Sequence, residues 1–383
     1  MNRHWTAGLL AAVAACLTLL VPAGPILWAQ DGEPATKPSS ETPTQPSQEW
    51  KIPALNHLIY MVVADDKYAI LADKIPPKPV PPNQSPQYKW HFVDLKSGDT
   101  ADLQEFLGKI VKDFLGPVME AQFSPDGKSV LIASGLGWRY NWCFDIPGKK
   151  GVNLSEPAGN TRCFWLGEKV VSTSKMGPYF MPVPAKLIDP HRKAPTDGRL
   201  PGPVLAVNER ATTWICTARG PAKTGKGFSI GYMVFSAQLQ TGKQALTKPM
   251  GFLGPPSPAT PPRFVLSPSG KFCAAVWYAQ KADLKEPSGI AWAPTRTQVF
   301  NCTTGQAVQL EQVGFPVPVS DMGKAITTGF DADKGKIILW DAKGKKSEVL
   351  VEDSVGAYAS GNDLYYVTKG DDKYTLHAMP IPK

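Results

Sequence analysis

Gly220-Pro221-Ala222-Lys223-Thr224-Gly225-Lys226-Gly227 is the stretch of this 383-residue chain that comes nearest to a chemical motif. It approaches a phosphate-cradling glycine loop, in which backbone amides at a helix N-terminus hold phosphate and a hydroxyl after the Lys holds Mg²⁺. Gly227 stands where that hydroxyl is required, and the run after it reads as a strand, so the loop is set aside. Ser172-Thr173-Ser174-Lys175 and Lys223-Thr224-Gly225 match two fragments of a serine acyl-transfer signature. That chemistry needs the Ser at the start of a helix with the Lys one turn on. Val170 to Ser174 reads instead as a strand, which points Ser172 and Lys175 to opposite faces. His57, His91, His191 and His377 belong to no metal-binding or nucleophile-elbow pattern, and Asp189-Pro190-His191 has no nucleophile beside it. Cys143, Cys163, Cys216, Cys273 and Cys302 match no metal spacing. An odd number of them in an oxidising compartment leaves at least one thiol over, with the pairing open; their apolar contexts read as core. No catalytic residue, metal or cofactor is expected.

The residues that remain are those of recognition: Trp138, Arg139, Tyr140, Arg219, Lys223, Lys226 and Trp292, with Tyr179 and Phe180 beside them. Aromatic and Arg side chains are typical interface anchors. The alternative for any single aromatic is that it fills a gap between packed sheets. Which reading holds depends on the elements that carry them.

Those elements repeat. Phe123-Ser124-Pro125-Asp126-Gly127-Lys128 precedes an apolar run from Ser129 to Ser134, and Val265-Leu266-Ser267-Pro268-Ser269-Gly270-Lys271 precedes one from Phe272 to Tyr278. A tight turn between β-rich runs is an antiparallel hairpin. Weaker copies stand at 63–67, 165–169, 207–210, 319–324 and 359–363. Seven turns recur at intervals of roughly 40 to 60 residues, which suits four-stranded units with insertions. A second turn, opened by Asp or Asn and closed by Gly, follows at 94–98, 145–149, 301–305 and 341–345, with a Gln-led copy at 238–243. The third repeat, 160–202, lacks a clean one. In these two turns, and in the pair Trp340-Asp341, the chain resembles the WD-repeat-like and TolB-type propellers over residues 50–383. The resemblance implies an all-β ring of seven blades, each of four antiparallel strands.

After Asn362 only two strands fit, so residues 50–55 are expected to supply the outer strand of the last blade and close the ring. Leu103, Phe106, Leu107, Ile110, Val111, Phe114 and Leu115 follow helical spacing, which predicts an amphipathic helix after the first blade, packed on the ring or offered to a partner. With the strands of a blade named a to d, the long insertions (73–87, 219–228, 279–294) fall between b and c. They gather at one end of the ring, where the recognition residues also fall.

Ahead of the ring, the apolar stretch from Ala7 to Ala29 after Arg3 and His4 reads as a signal peptide over residues 1–30, with an uncleaved anchor as the alternative. Val13-Ala14-Ala15-Cys16 offers a lipidated Cys16 as a minority route to the membrane. Residues 31–49, rich in Pro, Ser and Thr, read as a disordered linker. Leaving out Arg3 and Lys37 from the 41 bases, and Asp31, Glu33, Glu41 and Glu49 from the 33 acids, gives residues 50–383 a surplus of ten positive charges. That suits an anionic partner or a merely soluble surface, with no nucleic-acid motif. The expectation is a monomeric, non-enzymatic, extracytoplasmic propeller that binds a protein or anionic polymer of the cell envelope. The alternative is a hydrolase or lyase acting on glycans with carboxylates drawn from several blades.

Overall fold

The computed structural model describes residues 48–382, except 54, 56–57, 65, 75–87, 115, 136–139, 156–160, 175–182, 191–194, 222–227, 238–246, 255–261, 283–289, 330–334 and 371–373. Strand β1 (Gln48–Ile52) is the first element of the described residues, which then build four-stranded antiparallel sheets in order. Blade 1 is β2 (Leu58–Ala64), β3 (Tyr68–Lys74), β4 (Tyr88–Asp94) and β5 (Thr100–Asp102). Helix α1 (Leu103–Ile110) leads to blade 2: β6 (Val118–Phe123), β7 (Ser129–Ser134), β8 (Tyr140–Asp145) and β9 (Lys150–Asn153). Blade 3 is β10 (Thr161–Leu166), β11 (Lys169–Ser174), β12 (Val183–Ile188) and β13 (Pro195–Leu200). Blade 4 is β14 (Val204–Val207), β15 (Thr213–Pro221), β16 (Phe228–Ala237) and β17 (Thr247–Gly254). Blade 5 is β18 (Arg263–Leu266), β19 (Phe272–Ala282), β20 (Ile290–Asn301) and β21 (Ala307–Gln309). Blade 6 is β22 (Phe315–Val319), β23 (Ala325–Thr328), β24 (Gly335–Trp340) and β25 (Lys346–Ser354). Blade 7 takes β26 (Gly356–Ser360), β27 (Asp363–Lys369) and β28 (Tyr374–Pro380) from the C-terminus and β1 from the N-terminus. The seven sheets form the expected propeller.

Local hydrogen bonding explains why the turns recur. In blade 2 the Gly127 amide donates to the Ser124 carbonyl (2.8 Å), and the Ser124 hydroxyl donates to Asp126 (2.6 Å) while accepting from the Ser129 amide (2.9 Å). Blade 5 repeats this with Ser267, Gly270 and Phe272. Blade 4 builds the same turn on Asn208, whose side chain accepts from the Thr212 and Thr213 amides, and puts Ala211 in the left-handed position that Gly fills elsewhere (φ +52°). At Gly270 (φ +74°) a Cβ would lie 2.1 Å from the Thr213 hydroxyl of blade 4, so glycine there also sets how closely two blades approach. The second turns are opened by Asp94, Asn301 and Asp341, each accepting backbone amides two residues on, and each followed by a Gly amide donating to its carbonyl.

Closure is where it was expected, displaced toward the N-terminus: Gln48 to Ile52 pair with Ala378 to Tyr374. Trp50, Ile52 and Leu55 are buried in a cluster with Leu71 and Val93 of blade 1 and Tyr365 and Leu376 of blade 7. The Trp50 ring nitrogen donates to the Leu95 carbonyl at 2.7 Å. The first strand therefore completes one blade and seals it to the next.

Helix α1 is shorter than its pattern. Asp102 caps its start by accepting from the Gln104 and Glu105 amides. Leu103 and Leu107 are fully buried against blades 1 and 2, and Phe106 stacks on Phe92 (centroids 4.4 Å). The helix packs on the ring rather than standing free. It stops at Ile110 because Val111 turns extended, yet Phe114 still meets Trp142 and Phe144 edge-on, so the apolar pattern is honoured by a turn instead of a further helical turn.

Candidate functional site

The first strand of each blade lines a central cavity of about 720 Å³. Each such strand starts at the end of the ring carrying the b–c and d–a connections and finishes at the end carrying the a–b turns. A residue's place in its strand therefore gives its depth. Arg263 and Phe315 are first in β18 and β22, Arg162 is second in β10, and Tyr60, Glu120 and Tyr358 are third in β2, β6 and β26. Polar and aromatic groups from six blades thus gather in the half of the channel nearest the b–c end.

Their contacts are specific. The Glu120 carboxylate accepts from Arg162 Nη2 (3.1 Å to Oε1) and from Gln122 Nε2 (2.9 Å). The Arg162 guanidinium lies 4.8 Å over the Phe164 ring, and its Nε is buried with no hydrogen-bond partner. Arg263 lies 5.7 Å over the Phe315 ring, is exposed to the channel, and has no carboxylate partner among the described residues. The Tyr60 hydroxyl donates to the Ala121 carbonyl (2.6 Å). Burial holds that phenol well above its usual pKa, the charge of Glu120 and the Tyr358 phenol add to this, and Arg263 and Arg162 oppose it, so all four lie close enough to act on Tyr60. Burial, with Glu209 nearby, also raises the Tyr358 phenol.

At the other end the channel is crossed. Glu209, in the first turn of blade 4, accepts from the Ser360 hydroxyl (2.6 Å) and the Gly361 amide (3.1 Å) of blade 7. In a ring of seven these blades stand as far apart as two can. Neighbouring turns at this end are also tied: Lys67 to the Asp126 carbonyl, the Gly167 amide to the Ala211 carbonyl, Asn208 to the Pro268 carbonyl, and Ser269 to Asp321.

The b–c end is uneven. Most second strands have four to seven residues, but β15 has nine and β19 eleven. Relative to the six-residue β7, blades 4 and 5 carry their b–c hairpins further by about 10 and 17 Å at ~3.4 Å per residue. Much of what the sequence marks as insertion at 219–228 and 279–294 is therefore ordered strand: Arg219 to Pro221 pair with Ile230 to Phe228, and Ala279 to Ala282 with Ala293 to Ile290. At the base of the blade 5 hairpin Arg296 stacks on Trp277 at 4.9 Å.

The expected recognition residues divide three ways. Arg219 lies in β15 opposite Ile230, and Trp292 in β20 opposite Gln280, both on the long hairpins. Tyr140 opens β8 and is half-buried, with part of its side chain against the core between blades 1 and 2. Trp138, Arg139, Lys223 and Lys226, with Tyr179 and Phe180, lie outside the described residues. The channel groups were not among the expected residues. Their signal was present, as a charged residue set into three of the apolar first strands: Glu120 in Val-Met-Glu-Ala-Gln-Phe, Arg162 in Thr-Arg-Cys-Phe-Trp-Leu, Arg263 in Arg-Phe-Val-Leu. The motifs set aside stay so. Ser172 is buried in β11; Gly220 and Pro221 end strand β15, and the next described residues, from Phe228, form strand β16 rather than a helix.

The class of protein these observations define is the seven-bladed β-propeller, with four antiparallel strands per blade, as the WD-repeat-like and TolB-type resemblance implied. No family model and no curated protein matches the chain. Solved structures similar to it include a fungal alcohol oxidase in complex with copper (12% identity, TM-score 0.50, 88% of this chain and 77% of that one). Others are the propeller domain of the trilobed protease from Pyrococcus furiosus (12%, 0.49, 85% and 95%) and TolB from Acinetobacter baumannii (14%, 0.40, 76% and 60%). At such identities the likeness shows the fold alone.

Proposed function

We propose that this chain is an extracytoplasmic binding propeller. Residues 1–30 serve as the export signal, or anchor the chain through a lipidated Cys16, 31–47 form the tether, and the ring acts as a monomer on a protein or anionic polymer of the cell envelope. The observation that carries the reading is the asymmetry of the ring: two adjacent blades extend hairpins past the rim at the end to which the charged half of the channel belongs. Paired strands present side chains more rigidly than loops do, which lowers the ordering cost of docking. Arg219 and Trp292, in the strands of these hairpins, and Tyr140 of blade 2 are the contact residues proposed, together with Lys223, Lys226, Trp138 and Arg139, which lie outside the described residues. Co-purification from the envelope fraction tests it. The partner recovered with the parent chain is expected to be lost when residues 279–293 are replaced by a two-residue turn, and weakened when Arg219, Lys223 and Lys226 become Ala. Equal recovery from all three chains refutes it.

An enzymatic second reading rests on the two carboxylates, Glu120 and Glu209, that line one cavity. Both are engaged, the first by Arg162 and Gln122 and the second by Ser360 and Gly361. Turnover of an acidic glycan by the parent chain that is abolished in Glu120→Gln would establish this reading over the first.

A further inference from the structure

We propose that the b–c half of the central channel is a binding site for a small organic monocarboxylate with an aromatic or apolar body, received by the guanidinium of Arg263 with Arg162 behind it. The site is independent of whether the projecting hairpins dock a partner.

The argument begins with charge. Among the described residues, three formal charges stand in this half of the channel: Arg162, Arg263 and Glu120. Glu120 is matched by Arg162 at 3.1 Å and further held by Gln122. The surplus is a single positive charge, and it sits on Arg263. A guanidinium that faces a walled cavity without an anion interacts more strongly with one that enters than it would in open water, because the surrounding dielectric is lower. One positive charge matches one carboxylate. A dianion such as phosphate would bring a second negative charge toward Glu120 with no cation left to match it.

Shape and lining supply the rest. Arg263 is stacked over Phe315, and Arg162 over Phe164. Stacking fixes the plane of each guanidinium and leaves its edge to make the paired N–H contacts that a carboxylate accepts. Tyr60 and Tyr358, whose rings border the same cavity, present aromatic surface for the body of the ligand. The strap of Glu209 to Ser360 and Gly361 crosses the far end, so entry is from the b–c mouth, where Arg263 is first in its strand.

Isothermal titration of the full chain with phenylacetate is the test. Saturable one-to-one binding is expected, with phenylacetamide, the neutral isostere, at least about tenfold weaker, since it forfeits the charge-assisted contacts. Arg263→Met is expected to reduce phenylacetate affinity by about tenfold or more while its melting temperature stays at the parent value, because Arg263 makes no ion pair among the described residues. Lys343→Met removes a cation from an exposed turn of blade 6 and is expected to leave affinity unchanged. N-acetylphenylalanine tells whether the carboxylate may be that of a chain end: affinity at or above that of phenylacetate assigns the site to chain ends, and weaker binding to free acids. The proposal is overturned by an absence of saturable heat, by equal affinity for phenylacetamide, by inorganic phosphate binding as tightly as phenylacetate, or by an unchanged affinity in Arg263→Met.

Discussion

Replacing Trp50 by Ala opens the seam between the two ends of the chain. Trp50 is 9% exposed, stacks with Tyr365 at 6.4 Å, and donates its indole N–H to the Leu95 carbonyl in blade 1. Truncating a buried Trp costs about 3–5 kcal/mol through lost transfer energy and the cavity left behind. The orphaned Leu95 carbonyl lies within that range, because a buried acceptor without a donor costs ~1–3 kcal/mol by itself. For a ring of roughly 330 residues the unfolding entropy at the midpoint is ~0.7 kcal/mol/K, so a loss of about 4 kcal/mol lowers Tm by about 6 °C. The effect should also propagate, since the same cluster joins Leu71 and Val93 of blade 1 to Leu376 of blade 7. Amide hydrogen exchange should therefore rise in β27 and β28 before it rises in blades 3 to 5. Differential scanning calorimetry with exchange mass spectrometry checks both. Met322→Ala, at a site 60% exposed, is the control, expected within about ±0.5 kcal/mol of the parent. A Trp50→Ala chain melting within 1 °C of the parent, or exchanging first in the middle blades, would show that the ring does not depend on this closure.

Glu209→Ala should lower Tm by about 2–4 °C, the loss of charge-assisted hydrogen bonds to Ser360 and Gly361, and Ser360→Ala added to it should lower Tm little further; additive losses would show that the two do not form one strap. The thiols of Cys143, Cys216, Cys273 and Cys302 are all raised by burial, Cys143 and Cys302 to about 12. A thiol reagent at pH 8 should therefore leave them unmodified until denaturant is added, and labelling of the native chain at any of the four refutes their placement. Burial, with Lys89 adding to it, lowers the His91 pKa against the opposing pull of Asp73 and Asp102. The folded state then prefers neutral imidazole while the unfolded chain takes up the proton more readily. This contribution to stability is complete above the usual histidine pKa and is lost as pH falls through the folded value. His91→Gln should accordingly shrink the fall in Tm between pH 7 and 5; an equal fall in both chains counts against it.

The fold was legible in the sequence because a propeller is built from short-range parts. The Ser124-to-Ser129 and Ser267-to-Phe272 turns close their hydrogen bonds within five residues, so residue type alone specifies them. The copy at Asn208 reads as weak because Ala211 occupies a glycine's conformation, which the sequence does not announce. Helix α1 shows the limit of periodicity: Val111 and Phe114 are spaced to bury their side chains, but spacing does not say whether a helix or a turn delivers them.

The site is a different matter. Tyr60, Glu120, Arg162, Arg263 and Tyr358 are scattered across some 300 positions of the chain, and each is an isolated polar or aromatic residue in an apolar strand. The sequence determined the strands, their turns, and the closing of the ring by β1, because each depends on groups a few residues apart or on the count of strands needed to leave no open edge. Which polar side chains share one cavity, which of two arginines retains an unmatched charge, and which blades project past the rim were decided by the tertiary structure alone. Coulomb and packing energies follow distance in space, and the ring brings together residues that the chain keeps far apart.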